Sequence, residues 1–329
     1  MTVRVALAVL ASTVSIALAA CSPKGEAPAA PASAAAPAAP AAPAAPAAPA
    51  APAVAAIPES EDVKPFTIGA LQAAALRDGT LSVPNDNKAL AINKKKKEVA
   101  ALLTANGLSA DTIDLSVQPL LVKAGDKVLL FDTGPAGLFG PTMGKLPATM
   151  ATAGIDPASV TDIFISHGHG DHVGGLVKAD NTLAFPNAAI HMSANEFASL
   201  KTTKGVSALV GAITPKVVEF QPDAELIPGV VKAVDIKGHT PGHSGYLITS
   251  DGQSLLFIGD TMHHSVISVQ QPDWTIAFDG DAPTAQASRK ALLEKSAASG
   301  QRIYAFHFPF PGIGKFEKQG DKFVWVAEP

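Results

Sequence analysis

Apolar positions gather along the chain in short runs that stop at glycine, proline, asparagine or aspartate. Runs of this length, rich in β-branched and aromatic residues and closed by turn formers, read as strands. Residues 66–68 and 80–83 are the first two, with Asp78-Gly79 supplying a turn ahead of the second. Residues 94–103 read as a helix that ends near Asn106-Gly107. Residues 115–123 and 128–131 then predict a hairpin around Ala124-Gly125-Asp126, which delivers Asp132-Thr133-Gly134. The arrangement recurs in residues 246–249 and 255–258, which turn at Ser250-Asp251-Gly252 and deliver Gly259-Asp260-Thr261. Two apolar hairpins, each closing on an Asp-Thr pair, predict two related half-domains whose sheets face each other. Between them, residues 146–154 read as a helix, Asp156-Pro157 as a turn and residues 188–191 as a strand. Ser193 caps a further helix beginning near Ala194, with Glu196 in the capping-box position.

One strand ends unlike the others. Ile163-Phe164-Ile165 runs into Ser166 and then His167-Gly168-His169-Gly170-Asp171-His172. The two glycines let the backbone turn tightly, so that His167, His169, Asp171 and His172 converge on one small volume. Neutral imidazoles with a carboxylate suit Zn²⁺, or a related ion of Mn, Fe or Co. Further ligand types follow strands or turns later in the chain: Gly238-His239-Thr240-Pro241-Gly242-His243, Asp260 and Ala305-Phe306-His307. His191 stands outside this pattern and reads as a surface residue or one in a second layer behind the ligands.

The pattern His-x-His-x-Asp-His after an apolar strand resembles the metal signature of the metallo-β-lactamase-fold hydrolases. That resemblance implies an α/β protein, an αββα sandwich with the metal site at the edge between two β-sheets. It implies two divalent metal ions, zinc above all. His167, His169 and His239 would hold one ion and Asp171, His172 and His307 the other, with Asp260 bridging. A shared carboxylate and a shared hydroxide reduce the repulsion of two cations roughly 3.5–4 Å apart, and the hydroxide is the expected nucleophile toward a carbonyl or phosphoryl centre. Asp132 matches the aspartate that braces the histidine loop in the family, its other reading being a structural cap, and His243 stays behind the ligands.

Composition adds a compartment. The first 56 of the 329 residues differ from the rest. Arg4 precedes an apolar stretch over residues 5–20 that reads as a signal peptide. Leu18-Ala19-Ala20-Cys21 resembles a bacterial lipobox, which implies acylation of Cys21, the sole cysteine, and a lipid anchor in the membrane. Resemblance to bacterial lipoproteins implies that Ser22 after that cysteine favours the outer membrane, so the expected location is exported and lipid-anchored, in the periplasm or at the cell surface. Residues 27–56 are alanine and proline apart from Ser33 and Val54, an extended tether that would reach roughly 90 Å at about 3.1 Å per residue. The domain reading is therefore residues 1–20 signal peptide, 21–56 lipidated N-terminus and tether, and 57–329 catalytic domain. A net charge of −4 gives no electrostatic case for nucleic acid, and the basic run 94–97 reads as a solvated helix face.

Closer resemblance is to the methyl parathion hydrolases, through Phe131-Asp132-Thr133-Gly134-Pro135-Ala136-Gly137-Leu138-Phe139-Gly140-Pro141-Thr142, His172-Val173-Gly174-Gly175-Leu176, Ala184-Phe185-Pro186-Asn187-Ala188 and Phe310-Pro311-Gly312-Ile313-Gly314. It covers most of residues 66–324 and implies a small-molecule phosphotriester, ester or lactone substrate and a homodimer. Phe139 matches one aromatic of that family's pocket. Leu200, with Phe197 nearby, stands where the family has tryptophan, and residues 201–218 hold no aromatic side chain. That departure keeps an N-acyl homoserine lactone lactonase open as the alternative. His263 lies near the tyrosine of those lactonases, and its expected role is hydrogen bonding to a substrate oxygen; its other reading is an exposed loop residue. A mononuclear iron dioxygenase of the same fold and a non-catalytic lipoprotein that keeps metal for stability are the readings from other classes.

Overall fold

The computed structural model describes residues 56–329; the signal peptide, Cys21 and all of the tether but Ala56 lie outside the described residues. Two seven-stranded sheets carry the structure. The first runs in the order Val63–Ile68, Leu71–Leu76, Leu120–Ala124, Lys127–Phe131, Asp162–Phe164, Ala189–Ser193 and Val217–Phe220. The second runs Glu225–Ile227, Val231–Asp235, Ser244–Ser250, Gln253–Phe257, Arg302–Tyr304, Ile313–Gln319 and Lys322–Ala327. Each predicted hairpin falls at the centre of its own sheet.

The period-two alternation of strands decides which residue serves which layer. In the first sheet Leu129 and Phe131 point into the core shared by the two sheets, while Leu130 points outward. In the second, Tyr304 points inward and Ile303 outward. The shared core is aromatic: Phe131 stacks on Phe164 at 4.8 Å between ring centres, and Phe257 on Tyr304 at 5.6 Å. Outside the first sheet lie helices Leu146–Thr152, Ala194–Thr202 and Ser207–Ile213, and outside the second lies the long helix Ala282–Ser299 through Leu293. The result is an αββα sandwich.

Two details depart from expectation. Residues 115–123 are not one strand. Thr112–Val117 pairs with Gly79–Pro84 in a separate two-stranded sheet, and Leu120–Ala124 belongs to the first large sheet. Pro119, which lacks a backbone donor, stands at the break. Buried Gln118 knits it to the other half of the molecule, its Nε2 donating to Ala305 O and Phe308 O at 2.9 and 3.1 Å. Strand Leu71–Leu76 was not expected, because its central Ala73-Ala74-Ala75 carries no strand propensity of its own. Its side chains are closed on both faces, Ala73 and Ala75 against the shared core and Ala74 against the outer one, and that packing overrides propensity.

Candidate metal centre

Strands Lys127–Phe131, Asp162–Phe164 and Ala189–Ser193 are mutually parallel, as are Gln253–Phe257 and Arg302–Tyr304 across the sandwich. Parallel strands end on the same side, so the loops after them open at one edge. Those loops carry Asp132, the His167–His172 run, Asp260 and His307.

The side chains form two groups. His167 Nε2, His169 Nδ1 and His239 Nε2 lie at 2.9, 3.1 and 3.1 Å from one another. Asp260 faces them with Oδ2, 3.7 Å from His167 Nε2 and 3.5 Å from His239 Nε2. Its other oxygen, Oδ1, is 3.2 Å from His172 Nε2 and 3.2 Å from His307 Nε2. Asp171 Oδ2 closes this second group at 3.6 and 3.4 Å from the same two nitrogens. Each neutral imidazole has a single N–H, so three ring nitrogens at such mutual spacing cannot all be satisfied by N–H···N bonds among themselves. His172 Nε2 and Asp260 Oδ1 are moreover buried with no hydrogen-bond partner. Converging imidazoles and carboxylates of this kind fit divalent cations of the zinc type, one to each group.

Burial holds the first group in its neutral, ligating form. It pushes His167 well below the ordinary imidazole range, aided by neighbouring His172, and lowers His169; His239 falls to about 4 despite the pull of Asp279 and Asp260. In the second group burial also opposes charge but loses. The carboxylates of Asp260 and Asp171 raise His307 to about 10, and the same two with Asp132 raise His172.

Each of three histidines is oriented from behind by a second contact. His172 Nδ1 meets Asp132 Oδ2 at 2.7 Å, His307 Nδ1 donates to Ser116 O at 2.8 Å, and His239 Nδ1 meets Asp279 Oδ1 at 3.0 Å. Such partners fix ring orientation and tautomer. Asp132 also accepts from Ser166 N and Ser166 Oγ, both at 2.7 Å, and holds a left-handed φ of 57°, a conformation that a non-glycine residue keeps only where its surroundings demand it. His243 donates from Nδ1 to Ile236 O and accepts from Asp260 N at Nε2, both at 3.0 Å. It positions the aspartate and does not join either group. His191 stacks on Phe164 and bonds to Asp162 Oδ1 at 2.9 Å, in the interior of the first sheet rather than on the surface.

Glu196 does more than its capping-box position implied. Its backbone N–H does donate to Ser193 Oγ, at 3.2 Å. Its buried carboxylate accepts from Gly168 N at 2.7 Å, Thr240 Oγ1 at 2.7 Å and Gly242 N at 2.8 Å, and so ties the two histidine loops together. Gly242 has no room for a Cβ, which would overlap Glu196 N and Ser193 Oγ.

A cavity of about 420 Å³ opens in front of the two groups. His169, Asp171, Asp260, His263 and His307 line its polar side, and Leu81, Leu115, Phe139 and Phe278 its apolar walls. His263 is buried rather than on an exposed loop. Its Nε2 lies 3.1 Å from Asp260 Oδ2 without hydrogen-bond geometry, and neither ring nitrogen has a hydrogen-bond partner. Phe197 and Leu200 correct the sequence reading, since neither lines this cavity. Their three-residue spacing turns both inward from helix Ala194–Thr202 onto the outer core of the first sheet. Phe278 supplies an aromatic wall that carries no local sequence signal, because no apolar strand leads into it.

Comparison with known proteins agrees with this geometry. Residues 113–307 match the family model of the metallo-beta-lactamase superfamily, and the chain belongs to that superfamily. Among solved structures, one titled AidC, a dizinc quorum-quenching lactonase in complex with the product N-hexanoyl-L-homoserine, is 30% identical with a TM-score of 0.74, over 81% of this chain and 97% of that one. A hydrolase of the beta-lactamase superfamily, AbOPH, is 27% identical with a TM-score of 0.74, over 83% and 99%. A probable metallo-hydrolase of Mycobacterium bovis, Mb2322c, is 28% identical over 197 residues, which are 49% of this chain and 62% of the relative.

Glu196→Gln keeps the size of the side chain but leaves one of three donors without an acceptor. We expect a loss of about 2 kcal/mol of stability and zinc affinity weakened roughly 10-fold or more, read by thermal unfolding and chelator competition. Wild-type values in both would show that Glu196 does not hold the loops.

Proposed function

We propose that the protein is a dinuclear metallohydrolase that opens an ester or lactone carbonyl, with zinc as the ion. The observation that carries this reading is the placement of Asp260, whose two oxygens face two separate donor groups. Bound there, two divalent ions supply an acidified water as nucleophile and an electrophile for the substrate oxygen. The protein does the rest. Asp132, Asp279 and the Ser116 carbonyl orient the imidazoles, and Glu196 fixes the spacing of their loops. His263, unpartnered beside Asp260, presents a ring N–H to the substrate oxygen. Leu81, Leu115, Phe139 and Phe278 shelter an apolar arm of the substrate from water.

The dizinc lactonase at 30% identity supports a lactone, with an N-acyl homoserine lactone as the substrate class. Phosphotriester cleavage is the second reading. It rests on exposed Phe139 at the cavity wall and on the segments that resemble the methyl parathion hydrolases. A mononuclear iron dioxygenase needs only one donor group, and the second, Asp171 with His172 and His307, argues against it. We further propose that the enzyme is exported and held at the outer membrane by a lipid on Cys21.

Assayed side by side, the zinc-loaded protein should show a higher kcat/KM on an N-acyl homoserine lactone than on a methyl aryl phosphotriester, and chelation should abolish both until zinc is returned. Turnover indifferent to chelation would remove the metallohydrolase reading, and preference for the phosphotriester would replace the lactone. His263→Ala should lower kcat by about 100-fold, the scale of losing one positioned donor; unchanged turnover would dispose of the role. Cys21→Ala should move the protein from the membrane fraction to the soluble one. Wild-type protein already soluble would refute the anchor.

A further inference from the structure

Helix Ala282–Ser299 turns Ala285, Arg289, Leu293 and Ser296 inward. Among these small and apolar positions, the guanidinium of Arg289 is wholly buried. An arginine is rarely left there unless each of its donors has a partner. Here Nε donates to Thr261 O at 2.9 Å, Nη1 to Pro272 O at 3.0 Å and Trp274 O at 3.5 Å, and Nη2 to Asp279 Oδ2 at 2.9 Å. Two of those partners lead directly to the metal centre. Thr261 follows Asp260 in the chain, and the other oxygen of Asp279 meets His239 Nδ1 at 3.0 Å.

The backbone repeats the connection. Gly280 N donates to His239 O at 2.9 Å, and Asp281 N to Gly238 O at 2.8 Å. Gly238, at φ 114°, lies so close to the helix that a Cβ would overlap Ala285 N. The His239 loop is thus docked against the start of this helix at Ala285, about one turn before Arg289 on the same buried face. The second donor group shares only the Thr261 link, through Asp260, while its own histidines lean elsewhere, His172 on Asp132 and His307 on Ser116 O.

We propose that Arg289 is a positioning residue for the His167, His169 and His239 group. It acts through Asp279 on the ring of His239 and through the Thr261 carbonyl on the loop that carries Asp260. Asp279 is a carboxylate with no exposed surface, and one oxygen is committed to the arginine. The other is thereby aimed at His239 in a fixed direction. A lysine cannot reproduce the planar fork that reaches the Thr261 carbonyl and Asp279 together.

The proposal rests on the reading that the two groups bind metal ions, and metal affinity tests the two claims apart. Zinc competition would be run on the full chain as wild type, Arg289→Lys and Arg289→Met. Each would be repeated with His307→Ala, to isolate the first group, and with His239→Ala, to isolate the second. We expect both Arg289 variants to weaken zinc at the first group roughly 10- to 100-fold and to weaken the second, which shares only Asp260 with it, much less. The double variant Arg289→Met with Asp279→Asn should weaken the first group by less than the two single losses combined. Should Arg289→Met fail to fold, Arg289→Lys decides the matter. A lowered melting temperature with wild-type zinc affinity at the first group would make Arg289 a scaffold residue only and overturn the proposal. Equal weakening at both groups would overturn its selectivity. Wild-type protein that takes up no zinc would overturn the functional reading along with it.

Discussion

Asp260 stands between two sets of imidazoles and offers one oxygen to each, and the rest of the structure depends on keeping it there. Ring nitrogens about 3 Å apart are not a low-energy arrangement of protein groups alone. Without rigid support they would splay apart and find water or backbone partners. The sandwich supplies that support by ending its parallel strands at one edge, so that the ligand loops are short and leave a closed aromatic core.

The supports are themselves charged and buried, which is expensive unless every lone pair is used. Asp132 spends its oxygens on Ser166 and His172, Glu196 on Gly168, Thr240 and Gly242, and Asp279 on His239 and Arg289. Each starts from a different element: a strand end of the first sheet, the first turn of a helix, and the loop ahead of the long helix. Together they hold loops from both halves of the molecule. The front of the centre is built differently, from apolar side chains of the small two-stranded sheet and of two loops, with His263 unpartnered among them. Rigidity behind the ligands and a roomy, partly apolar front are the division expected where a small molecule must enter but the ligands must not shift.

Much of this was legible in the sequence. Strand runs closing on Asp132, on the His167 loop and on Asp260 marked the edge of both sheets, because glycine-spaced histidines after an apolar run have few other uses. What escaped detection depended on distant packing. The alanines of strand Leu71–Leu76 look helical until two layers close over them. Leu200 and Phe197 resembled pocket residues by position, but helical spacing sends them into the core. Asp279 and Arg289 lie in segments with no local signature, and their meaning appears only when the long helix is laid against the His239 loop. Glu196 showed half of its role, since capping spacing reveals a backbone contact but not where the carboxylate goes.

The central claim is that two cations share Asp260, and anomalous diffraction from crystals of the zinc-loaded protein tests it most directly. The account predicts two zinc peaks, one among His167, His169 and His239 and one among Asp171, His172 and His307, with an oxygen of Asp260 toward each. A single peak, or two peaks that leave Asp260 unligated, would contradict it.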